Sequence, residues 1–218
     1  MQPFDYGYSF FYKQLDIASH IQTFAPQNRQ GKTGFENTDA TVHHQLFHDI
    51  CVAINNHGEG LRELSYLPTE TGQPQTLLTD AEAVHLEDVA RLIDLMMPVG
   101  WGALILLIIL VVTARFAGIP LPSLGYSLVI LLLLGLACTA ALLAIGPHEI
   151  FKAFHELVFP EGNQWFFYYQ DSLMTTLMKA PDIFFGIAII WAILSALIYV
   201  GLAALMKLFS IKNRHAKV

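Results

Sequence analysis

Residues 124–145 read LGYSLVILLLLGLACTAALLAI, an apolar run that contains no charged side chain. A helix needs roughly 20 consecutive apolar residues to cross the hydrocarbon core of a bilayer, so this run is long enough to span a membrane. Composition supports the same class for the whole chain, because 54% of its residues are hydrophobic, 14% are charged and the mean hydropathy is +0.48.

Two further apolar runs flank the central one. Residues 183–206 are long enough to span directly, and residues 99–114 become long enough when the run is extended backwards to residue 92. Residues 1–91 are polar enough to form a water-facing domain. We therefore expect an all-α membrane protein, a helical bundle with three spans in this chain and an α-helical extracytoplasmic cap.

The spans divide the chain into seven segments. We expect a cap at 1–97, a membrane helix at 98–116, a cytoplasmic loop at 117–123, a second membrane helix at 124–146, an outer segment rich in histidine and aromatic residues at 147–182, a third membrane helix at 183–207 and a basic cytoplasmic tail at 208–218. No apolar anchor precedes the cap in this sequence, so we expect a fourth, N-terminal span that is missing from it.

Charge is divided unevenly between the two ends of the spans. Residues 1–97 hold five Lys or Arg against thirteen Asp or Glu, whereas Lys207, Lys212, Arg214 and Lys217 follow the last span with no acid among them. The positive-inside rule therefore places the C-terminal tail in the cytoplasm and the cap outside. The opposite orientation, with a cytoplasmic cap and an external tail, stays open as the alternative.

Local signals place a helix and two loops in the cap. Asp39–Asn55 is predicted to be a helix because its apolar residues recur near helical spacing and glycines follow its end. Residues 26–38 and 66–76 are punctuated by Gly, Pro, Asn and Gln, which predicts loops.

A second helix begins close to the first span and carries a histidine. Thr79 and Glu82 form a capping box, and we expect the helix to pass Pro98 and enter the membrane. His85 lies on this helix with Asp88 three residues later, a spacing at which the carboxylate could orient the imidazole and raise its basicity. A surface histidine paired with its neighbour is the alternative.

The outer segment contributes a second histidine in an apolar setting. Residues 154–165 read FHELVFPEGNQW, which surrounds His155 with aromatic and aliphatic side chains. An ionisable group at the membrane boundary is costly unless it is paired or used. Apolar neighbours favour the neutral imidazole, which suits a general base.

Other catalytic motifs are incomplete. Residues 155–159 begin like a zincin motif but carry Phe159 where the second histidine should stand, and neither a GxSxG elbow nor a phosphate-binding glycine loop is present. We therefore expect no metal and no other cofactor. One histidine cluster stays open as a metal-binding alternative: His43, His44 and His48.

Five blocks of the sequence carry a family resemblance. They are Tyr6–Asp16, His85–Val89, Phe154–Phe159 followed by Gly162, Asn163 and Trp165, Asp171–Leu173, and Pro181 with Phe184 and Phe185. Together they resemble the bacterial family of lipoprotein intramolecular transacylase, Lit. The resemblance extends over nearly the whole chain, and the run from Phe154 onwards is its most specific part.

The resemblance implies a fold, a reaction and a set of site residues. The fold is four membrane helices beneath an extracytoplasmic cap, with His85 and His155 as the catalytic pair at the boundary. The reaction moves the sn-2 acyl chain of a diacylglyceryl lipoprotein to the α-amine of its own N-terminal cysteine. A substrate pocket is expected from Tyr6, Phe154, Trp165, Phe167 and Asp171.

The resemblance also implies partners and a location. We expect a diacylated lipoprotein substrate and membrane lipid as partners, no nucleic acid, and a monomer. The location is the bacterial cytoplasmic (inner) membrane, with several spans and a cytoplasmic C-terminus. The alternative from another class is a non-catalytic membrane scaffold or accessory subunit, in which the cap binds a partner and the aromatic residues form an interfacial belt.

A tag placed after Val218 tests the orientation. We expect a protease added outside intact cells to leave the tag uncut, because the acid-free basic tail should be cytoplasmic. Digestion in permeabilised cells is the positive control. Cleavage of the tag in intact cells would reverse the orientation.

Overall fold

The computed structural model describes residues 5–69, 72–120 and 122–215, with the backbone alone described for 205–215. Its helices and strands, in chain order, are α1 (Tyr8–Gln14), α2 (Ile17–Phe24), α3 (Ala40–Asn55), β1 (Ser65–Tyr66), β2 (Gln75–Thr76), α4 (Asp80–Phe116), α5 (Leu124–Ile145), α6 (Pro147–Val158), α7 (Leu173–Met178) and α8 (Asp182–His215). Short 3-10 helices lie at Asp5–Gly7, Ala25–Gln27, Phe35–Asn37 and Tyr169–Asp171. The expected helical class is therefore confirmed.

The chain forms two compact units. The cap unit is drawn from residues 1–98 and 159–188, and the span unit from residues 99–158 and 189–218. The cap unit is thus discontinuous in sequence. Helices α4 and α8 both begin in the cap unit and continue in the span unit.

Helix α4 begins at the predicted capping box. The Thr79 backbone N–H donates to Glu82 Oε2 at 2.5 Å, and the Glu82 N–H donates to Thr79 Oγ1 at 3.3 Å. This reciprocal pair satisfies two backbone donors that the first helical turn leaves without partners. The helix then continues through Pro98 without ending, as predicted.

Helix α3 confirms the predicted helix at Asp39–Asn55, with its first residue at Ala40. Asp39 is the N-cap, and its carboxylate accepts the backbone N–H groups of Thr41 at 2.8 Å and Val42 at 3.0 Å. A capped start fixes the register of α3, whose buried face includes Leu46 and Ile50.

The cap unit has a core between α1, α2, α3 and α7. Tyr8 is buried, stacks on Phe47 with ring centroids 4.0 Å apart, and donates its hydroxyl to the Leu177 carbonyl at 2.8 Å. Each large apolar side chain buried in this way stabilises the unit by about 1.5–3 kcal/mol. The fully buried aliphatic members of the core are Ile17, Ile21, Ile50, Leu61, Leu77, Leu173, Leu177 and Ile183.

The first and last residues of the loop predicted at 66–76 belong to two short strands that pair with each other. Tyr66 lies opposite Gln75 in a two-stranded antiparallel pairing of β1 with β2. The Tyr66 ring packs edge-on against Phe35 at 5.0 Å, and its hydroxyl donates to the Thr33 carbonyl at 3.0 Å. The contact of Tyr66 with Phe35 and Thr33, about thirty residues earlier in the chain, stabilises the strand pair. Local sequence patterns could not predict this contact.

Within the described part of the chain, three helices are long and apolar enough to cross a membrane, at Asp80–Phe116, Leu124–Ile145 and Asp182–Ala204. The three predicted spans are therefore confirmed by length and composition. Almost none of the residues in their apolar windows is buried within the protein, as a lipid-facing surface requires. Within the span unit, the Tyr199 hydroxyl of α8 donates to Ser127 Oγ of α5 at 3.1 Å.

Gly186 should be sensitive to the addition of one methyl group. A Cβ at this position would lie 2.4 Å from the edge of the buried Phe11 ring, whereas a Cβ at Gly201 in the same helix would meet nothing within 4 Å. Alanine gains about 1 kcal/mol of helix propensity over glycine, but overpacking typically costs about 1–3 kcal/mol. We expect Gly186→Ala to lower the melting temperature in detergent, with Gly201→Ala neutral or stabilising. Equal melting temperatures for the two variants would contradict this close contact.

Candidate active site

His85 lies in an aromatic setting within the cap unit. It occupies the second turn of α4 and is 9% exposed. The Phe159 ring packs edge-on against the imidazole with centroids 5.0 Å apart, and the Phe167 ring lies 6.0 Å away. The imidazole is therefore positioned by side chains from the segment that follows α6.

Asp88 lies about one helical turn beyond His85 and is buried. One carboxylate oxygen accepts a hydrogen bond from Arg91 Nη2, and the other accepts from Asn163 Nδ2 at 2.6 Å. The Arg91 side chain is mostly exposed, so the pair bridges from the buried carboxylate to the surface. Orientation of His85 by Asp88 stays a prediction.

Glu82 provides a second link to the same distant segment. This carboxylate is fully buried and accepts a short hydrogen bond from Ser172 Oγ. Ser172 is also the N-cap of α7, where its Oγ accepts the Thr175 backbone N–H at 2.9 Å. The residues that begin α4 and α7 are thereby joined through two side chains.

His155 lies on α6 in the span unit, between two aromatic side chains of the same helix. Its ring centroid is 4.0 Å from that of Phe151 and 5.4 Å from that of Phe154. The Nδ1 atom is 2.8 Å from the Phe151 carbonyl oxygen, which can only accept, so Nδ1 carries the proton. In the neutral ring the lone pair is therefore on Nε2.

Burial favours the neutral form of His155. It lowers the pKa of the imidazole below 6.5, while the hydrogen bond to the Phe151 carbonyl acts in the opposite direction. A neutral imidazole with a defined tautomer can accept a proton at Nε2. His85 belongs to the cap unit and His155 to the span unit, so the meeting of the two rings in one cavity stays a prediction.

Three of the predicted pocket residues are accessible. Tyr6 is 41% exposed in the cap unit, and Phe154 is 50% exposed in the span unit. Trp165 is half-buried, with its ring centroid 6.2 Å from that of Phe166. These rings are available to an apolar ligand, and their assignment to a substrate pocket stays a prediction.

The other two predicted pocket residues, Phe167 and Asp171, make structural contacts within the cap unit. Phe167 is a buried member of its core. The carboxylate of Asp171 is bound by both Nε and Nη2 of Arg29, at 2.8 and 2.6 Å, and the Arg29 backbone N–H donates to the Gln170 carbonyl. Both residues fix the segment that packs on His85, and their contact with substrate stays a prediction.

The histidines of α3 have partners within the protein. Tyr12 and Thr38 hydroxyls lie 2.7 and 2.8 Å from the two ring nitrogens of His43, and burial lowers the pKa of this imidazole to about 4. His44 Nδ1 lies 2.7 Å from the Ala40 carbonyl, and His48 Nδ1 contacts Asp5 at the same distance. Among the residues that the structure describes, no group of three or more His, Cys, Asp or Glu could hold a metal ion.

Sequence reasoning assigned no structural role to three polar residues that shape the surroundings of His85, although Asn163 and Ser172 lie in the blocks that carry the family resemblance. Arg29 and Asn163 act across long sequence separations, which local spacing does not reveal. The role of Ser172 could have been predicted, because serine is a preferred N-cap residue and an apolar turn follows it directly. Its partner Glu82 was recognised only as a capping residue.

Comparison with known proteins gives one match. The sequence model of the family described as lipoprotein intramolecular transacylase Lit matches residues 64–185, more than half of the chain. No curated protein and no solved structure matches this chain. The matched region contains both aromatic-flanked histidines and the Asp88–Asn163 hydrogen bond. The chain therefore belongs to the Lit family of lipoprotein intramolecular transacylases.

Proposed function

We propose that this protein transfers the sn-2 acyl chain of a diacylglyceryl lipoprotein to the α-amine of the same lipoprotein's N-terminal cysteine. Family membership supports transacylation at the level of the family. The observation that carries the proposal is the setting of His155, whose Nδ1–H is committed to the Phe151 carbonyl and whose burial favours the neutral ring.

His155 acts as the general base in this proposal. Its Nε2 accepts a proton from the cysteine α-amine as the nitrogen attacks the sn-2 ester carbonyl carbon. The C–O bond of the tetrahedral intermediate then breaks, the acyl group becomes an amide, and the glyceryl oxygen receives a proton. The proton lost by the amine is thus balanced by the proton gained by the new hydroxyl group.

His85 acts on the leaving group, the glyceryl oxygen of the ester. Its imidazole stabilises negative charge at the ester centre or donates a proton to the glyceryl oxygen, in which case the proton that His155 took from the amine restores His85. The proposal requires that His85 and His155 reach one substrate molecule.

The substrate carries both the donor and the acceptor. Attack by its own amine needs no acyl-enzyme, in keeping with a site whose two candidate catalytic residues are histidines. Holding both ends of one molecule together provides effective molarity, worth up to about 7–11 kcal/mol in the best cases.

The proposed setting is the cytoplasmic membrane of a bacterium. Three apolar helices and membership of the family support a membrane protein that acts on lipoproteins. We infer that the cap faces outwards, that the C-terminal tail is cytoplasmic, and that the monomer with its membrane lipid is the working form.

Replacing either histidine should abolish conversion. We expect His85→Ala and His155→Ala each to lower the rate of lyso-form production by about 10²–10⁴-fold, roughly 3–5 kcal/mol of barrier, because each removes a positioned acid or base. The double variant should lose little more than either single one, since groups that act as a unit are not additive. Mass spectrometry of the lipoprotein N-terminus, in a host without its own transacylase, measures both yield and position of the acyl chain.

Two exposed histidines provide matched controls. His148 lies on α6 with His155, and His57 lies in the cap unit, paired at the surface with Asp94. His148→Ala and His57→Ala should retain activity. An active His155→Ala enzyme would assign that residue to packing and overturn its role as the base. A wild-type protein that produces no lyso-form would favour the accessory-subunit alternative.

The pH dependence should report the depressed pKa of His155. Its neutral form is the base, and that form is lost only as the pH falls through a folded-state pKa below 6.5. Once protonation of the substrate's own α-amine is accounted for, we expect the remaining acid-side midpoint of kcat/KM to lie below pH 6.5, in wild type and His148→Ala alike. A midpoint above pH 6.5 would contradict this role.

A further inference from the structure

The His85 imidazole depends on two rings for its place. Phe159 and Phe167 both pack against it, and both belong to the segment between α6 and α7 rather than to α4. These two contacts persist only while that segment stays in place. The contacts that fasten the segment to α4 therefore matter for His85.

The segment is fastened firmly at its C-terminal end. Arg29 binds the Asp171 carboxylate, and Ser172 donates to the buried Glu82 on the first turn of α4. Phe167 lies close to this end. Phe159 lies at the other end, before an irregular stretch that turns at Gly162, where φ is +91°.

Asn163 fastens that other end. Its Nδ2–H donates to Asp88 Oδ2 at 2.6 Å. Asn163 follows Phe159 by four residues, and Asp88 lies about one helical turn beyond His85 on α4. Asp88 is buried, and its other carboxylate oxygen accepts a hydrogen bond from Arg91. The acceptor for Asn163 is therefore held in place by a second contact. A hydrogen bond to a buried carboxylate is charge-assisted and roughly twice as strong as one between neutral groups.

We propose that Asn163 is a positioning residue for His85, acting through its hydrogen bond to Asp88 to hold the Phe159 end of the segment against the imidazole. The proposal rests on the transacylase function proposed above. An amide is needed at this position because it donates to the carboxylate. A carboxylate in its place would face Asp88 with a like charge and push the segment away.

The test compares a charge change at residue 163 with the same change one residue later. Asn163→Asp removes the donor and adds the repulsion, whereas Gln164→Glu adds a charge to an exposed side chain whose amide donates to the Phe166 carbonyl. The double variant Asp88→Asn with Asn163→Asp restores an amide opposite a carboxylate with the roles exchanged. Asn163→Ala removes the donor without adding charge, and replaces Asn163→Asp if that variant does not accumulate.

The first readout does not depend on activity. Diethylpyrocarbonate modifies accessible imidazoles, and the rate at His85 can be followed by peptide mass spectrometry in the full-length protein in detergent. His85 is 9% exposed, so it should react slowly in wild type and in Gln164→Glu. We expect roughly tenfold faster modification in Asn163→Asp, by loss of the Phe159 contact, and a return towards the wild-type rate in the double variant.

The second readout is the kinetics of lyso-form production. A misplacement of about 1 Å can cost on the order of 100-fold in rate, so Asn163→Asp should lower kcat by about 10- to 100-fold with KM little changed. The double variant should recover most of this loss. A protein whose melting temperature falls while the kcat of its folded fraction is unchanged would reduce Asn163 to a stability role and overturn the proposal.

The two proposals fail in different ways. If the wild-type protein converts no lipoprotein, the proposed transacylase function is wrong. The rates of modification at His85 still test the positioning role of Asn163 in that case. Equal rates at His85 in wild type and Asn163→Asp would overturn the positioning role, whatever the activity. An equal acceleration in Gln164→Glu would overturn it too, because the effect would then come from charge alone.

Discussion

A carboxylate buried at Glu82 is the constraint on which the cap depends. Leaving a buried polar group without a hydrogen-bond partner typically costs about 1–3 kcal/mol, and more for a charged group, so Glu82 must be supplied with donors. Thr79 supplies one from the backbone and Ser172 supplies another from ninety residues away in the chain. The first turns of α4 and α7 are thereby brought to one point, and the histidine that lies one turn along α4 comes with them.

The features that local chemistry controls could be predicted from the sequence. The capping box at Thr79, the passage of α4 through Pro98 and the three apolar spans depend on residues within a few positions of each other, and the structure confirms all three. The bond from Asn163 to Asp88 and the pairing of Tyr66 with Gln75 connect distant segments. Sequence spacing predicts only interactions between residues close in the chain, so these two contacts could be identified only from the structure.

Histidine burial alone does not mark a catalytic residue in this chain. His20 and His43 are both buried and both have a pKa lowered to about 4 by desolvation, yet they lie in the aromatic and hydroxyl-lined interior of the cap. His85 and His155, the two proposed catalytic residues, differ from these in that they lie on α4 and α6, close in sequence to the apolar spans. His155 also has a tautomer set by a backbone carbonyl within its own helix. The proposed role of His155 therefore rests on its tautomer as well as on its lowered pKa.

The discontinuity of the cap unit also has a consequence for biosynthesis. The ribosome makes residues 1–98 first, but Leu173, Leu177 and Ile183, which complete their core, are made only after α5 and α6. Until then the Tyr8 hydroxyl lacks its Leu177 acceptor and the buried faces of α1 to α3 remain uncovered. The core of the cap unit can therefore be completed only after α5 and α6 have been synthesised, so this unit folds late in translation although most of its residues are made early.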